Sequence, residues 1–557
     1  MSLEHDRARA DFARFEQDQP DNFFRADPDL RRILARWSGE DVVRRWEPNL
    51  DSAGIQFAGP ADRAARVNGR RHNLPELERW SGFGERIEQV EHHPSHHEVG
   101  RAIYAAGVLS VLGERGSNLR SLALFYLSSL NGEAGHNCPV AATAGLIKAL
   151  VALGSDSMRE RYLPRLLTTN YDTRLHGTQF LTEVQGGSDV GANQVRADPV
   201  EGTPGSWRIF GEKWFCSNAT ADLILMTARA TTLTREGTAG LGLFLVPKHM
   251  DDGRHNAFAY RRLKDKLGTQ SMASAEIDFD GAVAYNLGPV EGGFHNMLKY
   301  VINVSRLFNG VGTAALARRA CHVARGYARQ RRAFGATIID YPLVQETLCD
   351  MSSEAAAMAS GSLYLAHVMD RIETGQGTPE EEAFFRVALN LNKMRSALSS
   401  HEVIHSAIEV LGGNGTIESF SVLPRLLRDN IVYENWEGTH NTLLMQLLRD
   451  CRRKQFHRGF FANLEKQAAK SQRVVALLRS AASGFDAALA SDDATAPLRM
   501  RALGHTLGWL QWASAMVDDG AETIVLDHFL DRRFGPSAER DRKYLDRLTR
   551  LCSEERT

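Results

Sequence analysis

Apolar residues recur at intervals of three and four from about Leu74 to Leu175, as in GRAIYAAGVLSVLG and SLALFYLSSL, which places them on one face of successive helices. Between about Gly177 and Gly288 the pattern changes to short β-branched and aromatic runs parted by glycine: SWRIFGEKWF, ADLILMTAR, LGLFLVP and SAEIDFDGA. That alternation predicts a small antiparallel sheet. Helical spacing returns from about Gly292 to Asp450 and again beyond it, where Val474, Leu478, Ala481, Phe485 and Leu489 form one stripe and Leu503, Leu507, Leu510 and Val517 another. The first sixty residues are polar and carry Pro20, Pro28, Pro48 and Pro60, which reads as a partly irregular lead-in. The expected organisation is a lead-in (1–60), a helical domain (61–176), a β domain (177–290), a second helical domain (291–450) and a helical extension (451–557) packed on the main body. The fold class is α+β, mainly α, and no internal repeat is visible.

Composition narrows the partners. With 67 basic and 68 acidic residues the chain of 557 has a net charge of −1, so it shows no overall electrostatic footprint for nucleic acid or an anionic membrane. The extension holds 18 basic against 14 acidic residues, too small an excess to argue DNA binding. Six cysteines are scattered without metal-site or disulfide-framework spacing, so reduced thiols in a cytoplasmic protein are expected, with no metal. The N-terminal MSLEHDRARADF is charged, and no run approaches the roughly 18 to 20 apolar residues of a membrane span.

Two segments about 250 residues apart carry the chemistry. LTEVQGGSDV (181–190) is a glycine-rich turn entered from an apolar run, able to bring backbone N–H groups close to an anion or a ring oxygen, and KWFCSN follows it at strand-like spacing. NWEGTHNTLL (435–444) sets a carboxylate, Glu437, between an aromatic residue and a glycine. Between them lie ARQRRAFG (328–335), with an arginine suited to phosphate oxygens, and EVLGGNGTIESFSVLPRLLRDN (409–430). Alone, each has an ordinary reading as a turn, a solvated helix cap or a surface glutamate; together and in this order they do not.

A helical, a β and a second helical unit bearing these motifs resemble the acyl-CoA dehydrogenase family over roughly residues 60 to 450. The resemblance implies the fold of that family with an added helical extension, FAD as cofactor, and α,β-dehydrogenation of an acyl-CoA thioester. Glu437 stands at the family's base position, where a carboxylate in a water-poor pocket removes the α-proton. The alternative position, on the helix before Arg306, is Ser305. By matching position Leu181 and Thr182 touch the isoalloxazine, and Ser188 the phosphate or pantetheine side. Trp214 matches the tryptophan beside the flavin. Phe215-Cys216 then replaces a common isoleucine-threonine pair, leaving a backbone N–H, the Cys216 thiol or Ser217 to face flavin N5. Arg331 and Phe334 match the segment that reaches a neighbouring subunit's flavin, and Glu409, Gly412 and Gly413 the loop carrying its adenine-dinucleotide end. Thr439 and Asn441 match contacts to the ADP half. Gly438, Asn303 and Arg306 fall at substrate positions, Asn303 where relatives often have an aspartate on the pantetheine. A homotetramer built as a dimer of dimers and an electron-transfer flavoprotein as partner follow from the resemblance.

EVQGGSD, KWFxS, RRLKDKLGTQSMAS (261–274), EAGHNCP (133–139), Glu409 and the extension further resemble the AidB-type alkylation-response branch. That branch supplies the alternative reading, a DNA-associated flavoprotein with vestigial dehydrogenase activity. A flavin oxidase or hydroxylase on this fold is a third. Acyl chain length and branching are not legible in the motifs.

Overall fold

The computed structural model describes residues 2–535 and 539–553. The chain divides into two compact units, one formed by Met1–Asp62, Asn118–Gly132 and Asn309–Thr557, the other by Arg63–Ser117 and Glu133–Phe308.

The first unit is helical and is built around two long helices, Pro342–Glu373 and Pro379–Leu411, of 32 and 33 residues. Thr378 and Glu381 form a reciprocal capping box at the start of the second, satisfying backbone N–H groups that a helix start leaves open. Small residues from Ala355 to Ser362 are buried on the first, so neighbouring helices can approach closely. The polar lead-in is not irregular. It forms helices Ser2–Gln17, Pro28–Ser38 and Glu40–Ala58, followed by Pro60–Asn68 across the boundary of the units. Pro28 and Pro60 occupy first-turn positions, where the missing N–H costs nothing, and Asp27 caps the N–H of Leu30. Only Pro48 lies inside a helix.

The extension is helical, as the stripes predict: Phe456–Ala468, Gln472–Leu489, Ala496–Asp519, Thr523–Phe534 and Arg542–Ser553. It completes the core of this unit. Trp512 is fully buried, its indole N–H donates to Asn392 Oδ1 at 2.8 Å, and it rests where a Cβ on Gly361 would lie 2.1 Å from its ring. Arg533 bonds Glu354 and Glu402, one on each long helix.

The second unit carries a β hairpin, β1 (Glu76–Trp80) and β2 (Arg86–Glu91), inside the segment expected to be helical. Its sheet comprises β3 (Gly177–Phe180), β4 (Arg196–Pro199), β5 (Ser206–Ser217), β6 (Leu223–Ala230), β7 (Leu241–Pro247), β8 (Phe258–Leu263) and β9 (Ser274–Asn286). The order is β3-β6-β4-β5-β9-β7, with β8 on β9, and an added β6–β7 pairing closes five strands into a ring. The sheet is mixed, because β3 and β4 run parallel to β6 while the other pairs are antiparallel. Trp207, Ile209, Ile224, Met226, Phe244, Tyr260 and Ile277 fill its core. Among the described residues one helix, Ala134–Leu153, is long and apolar enough to cross a membrane, but 72% of its apolar window is buried inside the protein, as in a core helix.

Candidate active site

In the second unit the glycine-rich turn leaves β3 and is fixed from beneath by a buried ion pair. Lys213 Nζ lies 2.8 Å from Glu183 Oε1, and both side chains are almost wholly buried. The Glu183 carboxylate also accepts the N–H groups of Gln194 and Val195. Lys213 and Asn193 both donate to the carbonyl of Leu181, at 3.1 and 2.7 Å. Burial pulls the Lys213 pKa down against the opposing pull of Glu183. Charges paired this way hold one backbone geometry, since breaking the pair strands a charge in the core. Above this base Gly186 has φ +130°, with open space where a Cβ would stand. Leu181 and Thr182 are half-buried and Ser188 is exposed, so all three remain reachable.

The end of β5 is tied to the same turn, because Trp214 N–H donates to the Thr182 carbonyl at 3.0 Å. Lys264 Nζ sits 3.5 Å above the Trp214 ring while bonding Glu276. Trp214 is half-buried and Phe215 exposed. The reading of Cys216 as a flavin-facing thiol needs correction. Its side chain is fully buried in the sheet core, and burial pushes the thiol pKa well up. A shift in the β5–β9 register between Lys213 and Cys216 turns it inward. Ser217, half-buried, is left as the side-chain hydroxyl at this strand end, its carbonyl taken by Thr178 Oγ1. At the start of helix Asn303–Gln330, Ser305 and Arg306 are buried, Ser305 bonded to Gln179. Asn303 Oδ1 is buried with no hydrogen-bond partner, an acceptor that suits an amide N–H.

In the first unit Glu437 occupies the turn between helices Leu423–Asn435 and His440–Lys454. It has φ +57° and is followed by Gly438 at φ +106°, a left-handed pair that costs a non-glycine residue about 1 kcal/mol or more. Lys393, fully buried on Pro379–Leu411, clamps both ends: its Nζ donates to the carbonyls of Glu434 at 2.9 Å and Gly438 at 2.8 Å. The Trp436 ring packs edge-on against Tyr433, at 4.6 Å between centroids. Glu437 and Gly438 are half-buried, Thr439 is exposed and bonds Thr442, and Asn441 Oδ1 accepts from Arg501 of the extension.

The same unit presents the GGNG loop. Gly412 and Gly413 are exposed, Gly412 has φ +60° and ψ −140°, which suits only glycine, and a Cβ on either would meet nothing. Glu409, also exposed, accepts the Gly412 N–H through its carbonyl. Asn414 is fixed to the Tyr327 hydroxyl. Arg331 stands half-exposed near the Phe12 ring, and Phe334, at the tip of the hairpin β10 (Arg332–Ala333) and β11 (Ala336–Thr337), is 98% exposed. Open backbone amides, an arginine segment leading into an exposed hairpin and the anchored turn together fit a dinucleotide with a phosphate bridge.

Reading the motifs missed three supporting residues: Lys393, Lys264 and Arg501. Lys393 had a signal, as a lone lysine within the apolar face of VALNLNKMRSAL; the others lie in ordinary polar surroundings.

Comparison with known proteins agrees with this geometry. Residues 291–451 match the acyl-CoA dehydrogenase C-terminal domain, 178–282 its middle domain, and 15–173 the N-terminal domain of the adaptive response protein AidB. The chain belongs to the acyl-CoA dehydrogenase family and, as a member, is an FAD-dependent oxidoreductase acting on CH–CH bonds. Among its relatives, AidB of Escherichia coli (strain K12) is 33% identical over 416 residues, 72% of this chain and 74% of AidB. Acyl-CoA dehydrogenase family member 11 of Caenorhabditis elegans is 29% identical over 441 residues, 77% of this chain and 70% of its own. The crystal structure of that nematode protein with C11-CoA superposes with a TM-score of 0.81 at 24% identity, covering 96% of this chain and 92% of that one, and shows the fold. The apo form of Bd2924 gives 0.84 at 27% identity, covering 90% and 98%.

Proposed function

We propose that Glu437 is the base that takes the α-proton of an acyl-CoA thioester, in an α,β-dehydrogenation that leaves a 2-enoyl product. The observation that carries this reading is the Glu437 turn itself, a left-handed carboxylate followed by glycine and pinned at both ends by one buried lysine. Strain of this kind persists where the surroundings over-determine it, and it fixes the direction of a side chain. FAD, when bound, supplies the acceptor for the β-hydride. The chain's own part is to bind and orient the thioester, to exclude water and to receive a proton at a Glu437 carboxylate oxygen. The Glu437 N–H is the donor suited to enolate-like charge on the thioester oxygen. Asn303 Oδ1 takes a pantetheine amide, and Ser188 and Arg306 serve the CoA side. Leu181, Thr182, Trp214 and Ser217 hold the ring, with Ser217 in place of Cys216 as the donor to N5. Arg331, Phe334, Glu409, Gly412, Gly413, Thr439 and Asn441 hold the dinucleotide.

The exposed Phe334 hairpin and the open GGNG loop support a homotetramer, a dimer of dimers in which subunits share flavin sites. An electron-transfer flavoprotein is the acceptor this reading requires. Six free cysteines accord with a reducing, cytoplasmic setting.

Anaerobic flavin reduction against short, long, branched and aromatic acyl-CoAs tests the reading. One thioester should bleach the wild-type flavin, and Glu437→Gln, which keeps shape and loses basicity, should slow that bleaching by about 10²- to 10⁴-fold. Undiminished reduction in Glu437→Gln would remove it from the mechanism.

A further inference from the structure

Hairpin strand β2, helix Pro94–Ala105, the start of helix Ala134–Leu153, and loops at Asn218 and Lys248 line a half-open cavity of about 410 Å³. All of its lining belongs to the second unit, and none of the residues assigned above to flavin or thioester lines it. Seven histidines do. His92, His96 and His136 form a continuous stack, with ring centroids 4.0 and 4.1 Å apart and planes within 26°.

Several polar groups in this wall have no use inside the protein. The Tyr104 hydroxyl and His96 Nδ1 belong to side chains that are 1% and 8% exposed, and neither has a hydrogen-bond partner. His255 donates through Nδ1 to the Asn256 carbonyl at 2.8 Å, so its neutral ring presents Nε2 as a bare acceptor, also unpartnered. Among the described residues no hydrogen bond or ion pair engages the Lys248 ammonium. The nearby Asp222 carboxylate accepts the N–H of His176 through Oδ2 at 2.8 Å, and burial lowers the Lys248 pKa against the pull of that carboxylate. Left unmatched, the buried Tyr104, His96 and His255 atoms cost about 1–3 kcal/mol each, so a ligand that reaches them is favoured.

Charge decides what kind of ligand fits. Glu88, the one carboxylate in the lining, already binds Arg86 and the N–H of Tyr260. Burial holds His92, His96, His97, His136, His176 and His255 below the ordinary imidazole range, His92 and His176 at about 3. Lys248 is therefore the cation that the lining itself offers, with Asp222 the nearby carboxylate outside the lining. A bound cation would meet Lys248 as a like charge, and among the described residues no three His, Cys, Asp or Glu side chains converge as metal ligands. The volume is more than tenfold the roughly 30 Å³ of a water molecule, so it admits more than a bare ion. The stacked imidazoles offer a flat face.

We propose that this cavity is a second binding site, for a small planar organic anion whose carboxylate or phosphate meets Lys248 and the Tyr104 hydroxyl while its flat body lies along the histidine stack. Calorimetric titration of the FAD-loaded protein with 4-hydroxybenzoate and, separately, inorganic phosphate tests it. Binding of 4-hydroxybenzoate at one site per chain, weakened about tenfold or more in Lys248→Met and several-fold in Tyr104→Phe, assigns a carboxylate ligand. The same response with phosphate alone assigns a phosphate ester. Tyr104→Phe removes only an unpartnered hydroxyl and should fold with undiminished thermal stability, which keeps the test valid if Lys248→Met is damaged. Absence of binding by both probes, or affinities equal to wild type in both variants, overturns the proposal.

Discussion

At the scale of single residues, β5 separates what a motif suggests from what a strand can do. Trp214, Phe215, Cys216 and Ser217 are consecutive, but the register shift after Lys213 sends Cys216 into the core and leaves Ser217 at the strand end. Cys216→Ala should therefore leave the rate of flavin reduction near wild type and cost about 1 kcal/mol of stability, while Ser217→Ala should slow reduction without lowering the melting temperature. Stopped-flow reduction and thermal melts of the two variants check the contrast, and equal kinetic effects would place the thiol at the ring after all. Lys393 acts through Glu437 and is a positioning residue. Lys393→Met frees two carbonyls, each left short of a bond worth about 1 kcal/mol net, and should lower kcat more than it changes KM for acyl-CoA.

At the scale of elements, charge pairs join pieces distant in the sequence. Burial alone would raise the Glu402 pKa, but the guanidiniums of Arg395 and Arg533 overcome it and hold it at about 2. A depressed carboxylate contributes stability that is complete above its ordinary value and is lost as pH falls through the folded one. The melting temperature should thus drop between about pH 5 and pH 2, and Glu402→Gln should start lower and respond less across that window. Beneath the flavin turn, Glu183→Gln leaves Lys213 buried without a counter-charge and should cost about 3–5 kcal/mol. Neither pair was legible in the motifs, although the elements they join were. Period-three spacing found the long helices, and glycine-parted β-branched runs found β5, β6, β7 and β9. Pro28 and Pro60 misled, because proline in a first helical turn starts a helix, while the same residue read without its cap looks like a breaker. The β1–β2 hairpin was missed because ELERW and RIEQVE bury only one residue between them, so no apolar alternation announces it. The seven histidines of the cavity come from four separate stretches of chain, which only the fold brings together.

At the scale of the whole molecule the question is what the extension is for. Its 18 basic and 14 acidic residues give it little of the phosphate-neutralising capacity on which sequence-independent DNA affinity rests. Its inner side is built into the unit: Trp512 fills the notch at Gly361, Arg533 closes the ion network of the two long helices, and Arg501 holds Asn441 beside the Glu437 turn. A segment that provides the far wall of a core cannot be removed as a module. A chain ending at Cys451 should therefore fail to give a cooperatively folding protein that holds FAD, whatever its affinity for DNA. Circular dichroism melts and flavin absorbance of that truncation read this directly. Gly361→Ala is the milder form of the same test, since its Cβ would drive into the Trp512 ring and should cost about 1–3 kcal/mol or more, with thermal unfolding lowered to match. A truncated protein with full flavin content and wild-type stability would show instead that the extension is a separable module, and its purpose would then have to be sought in a partner.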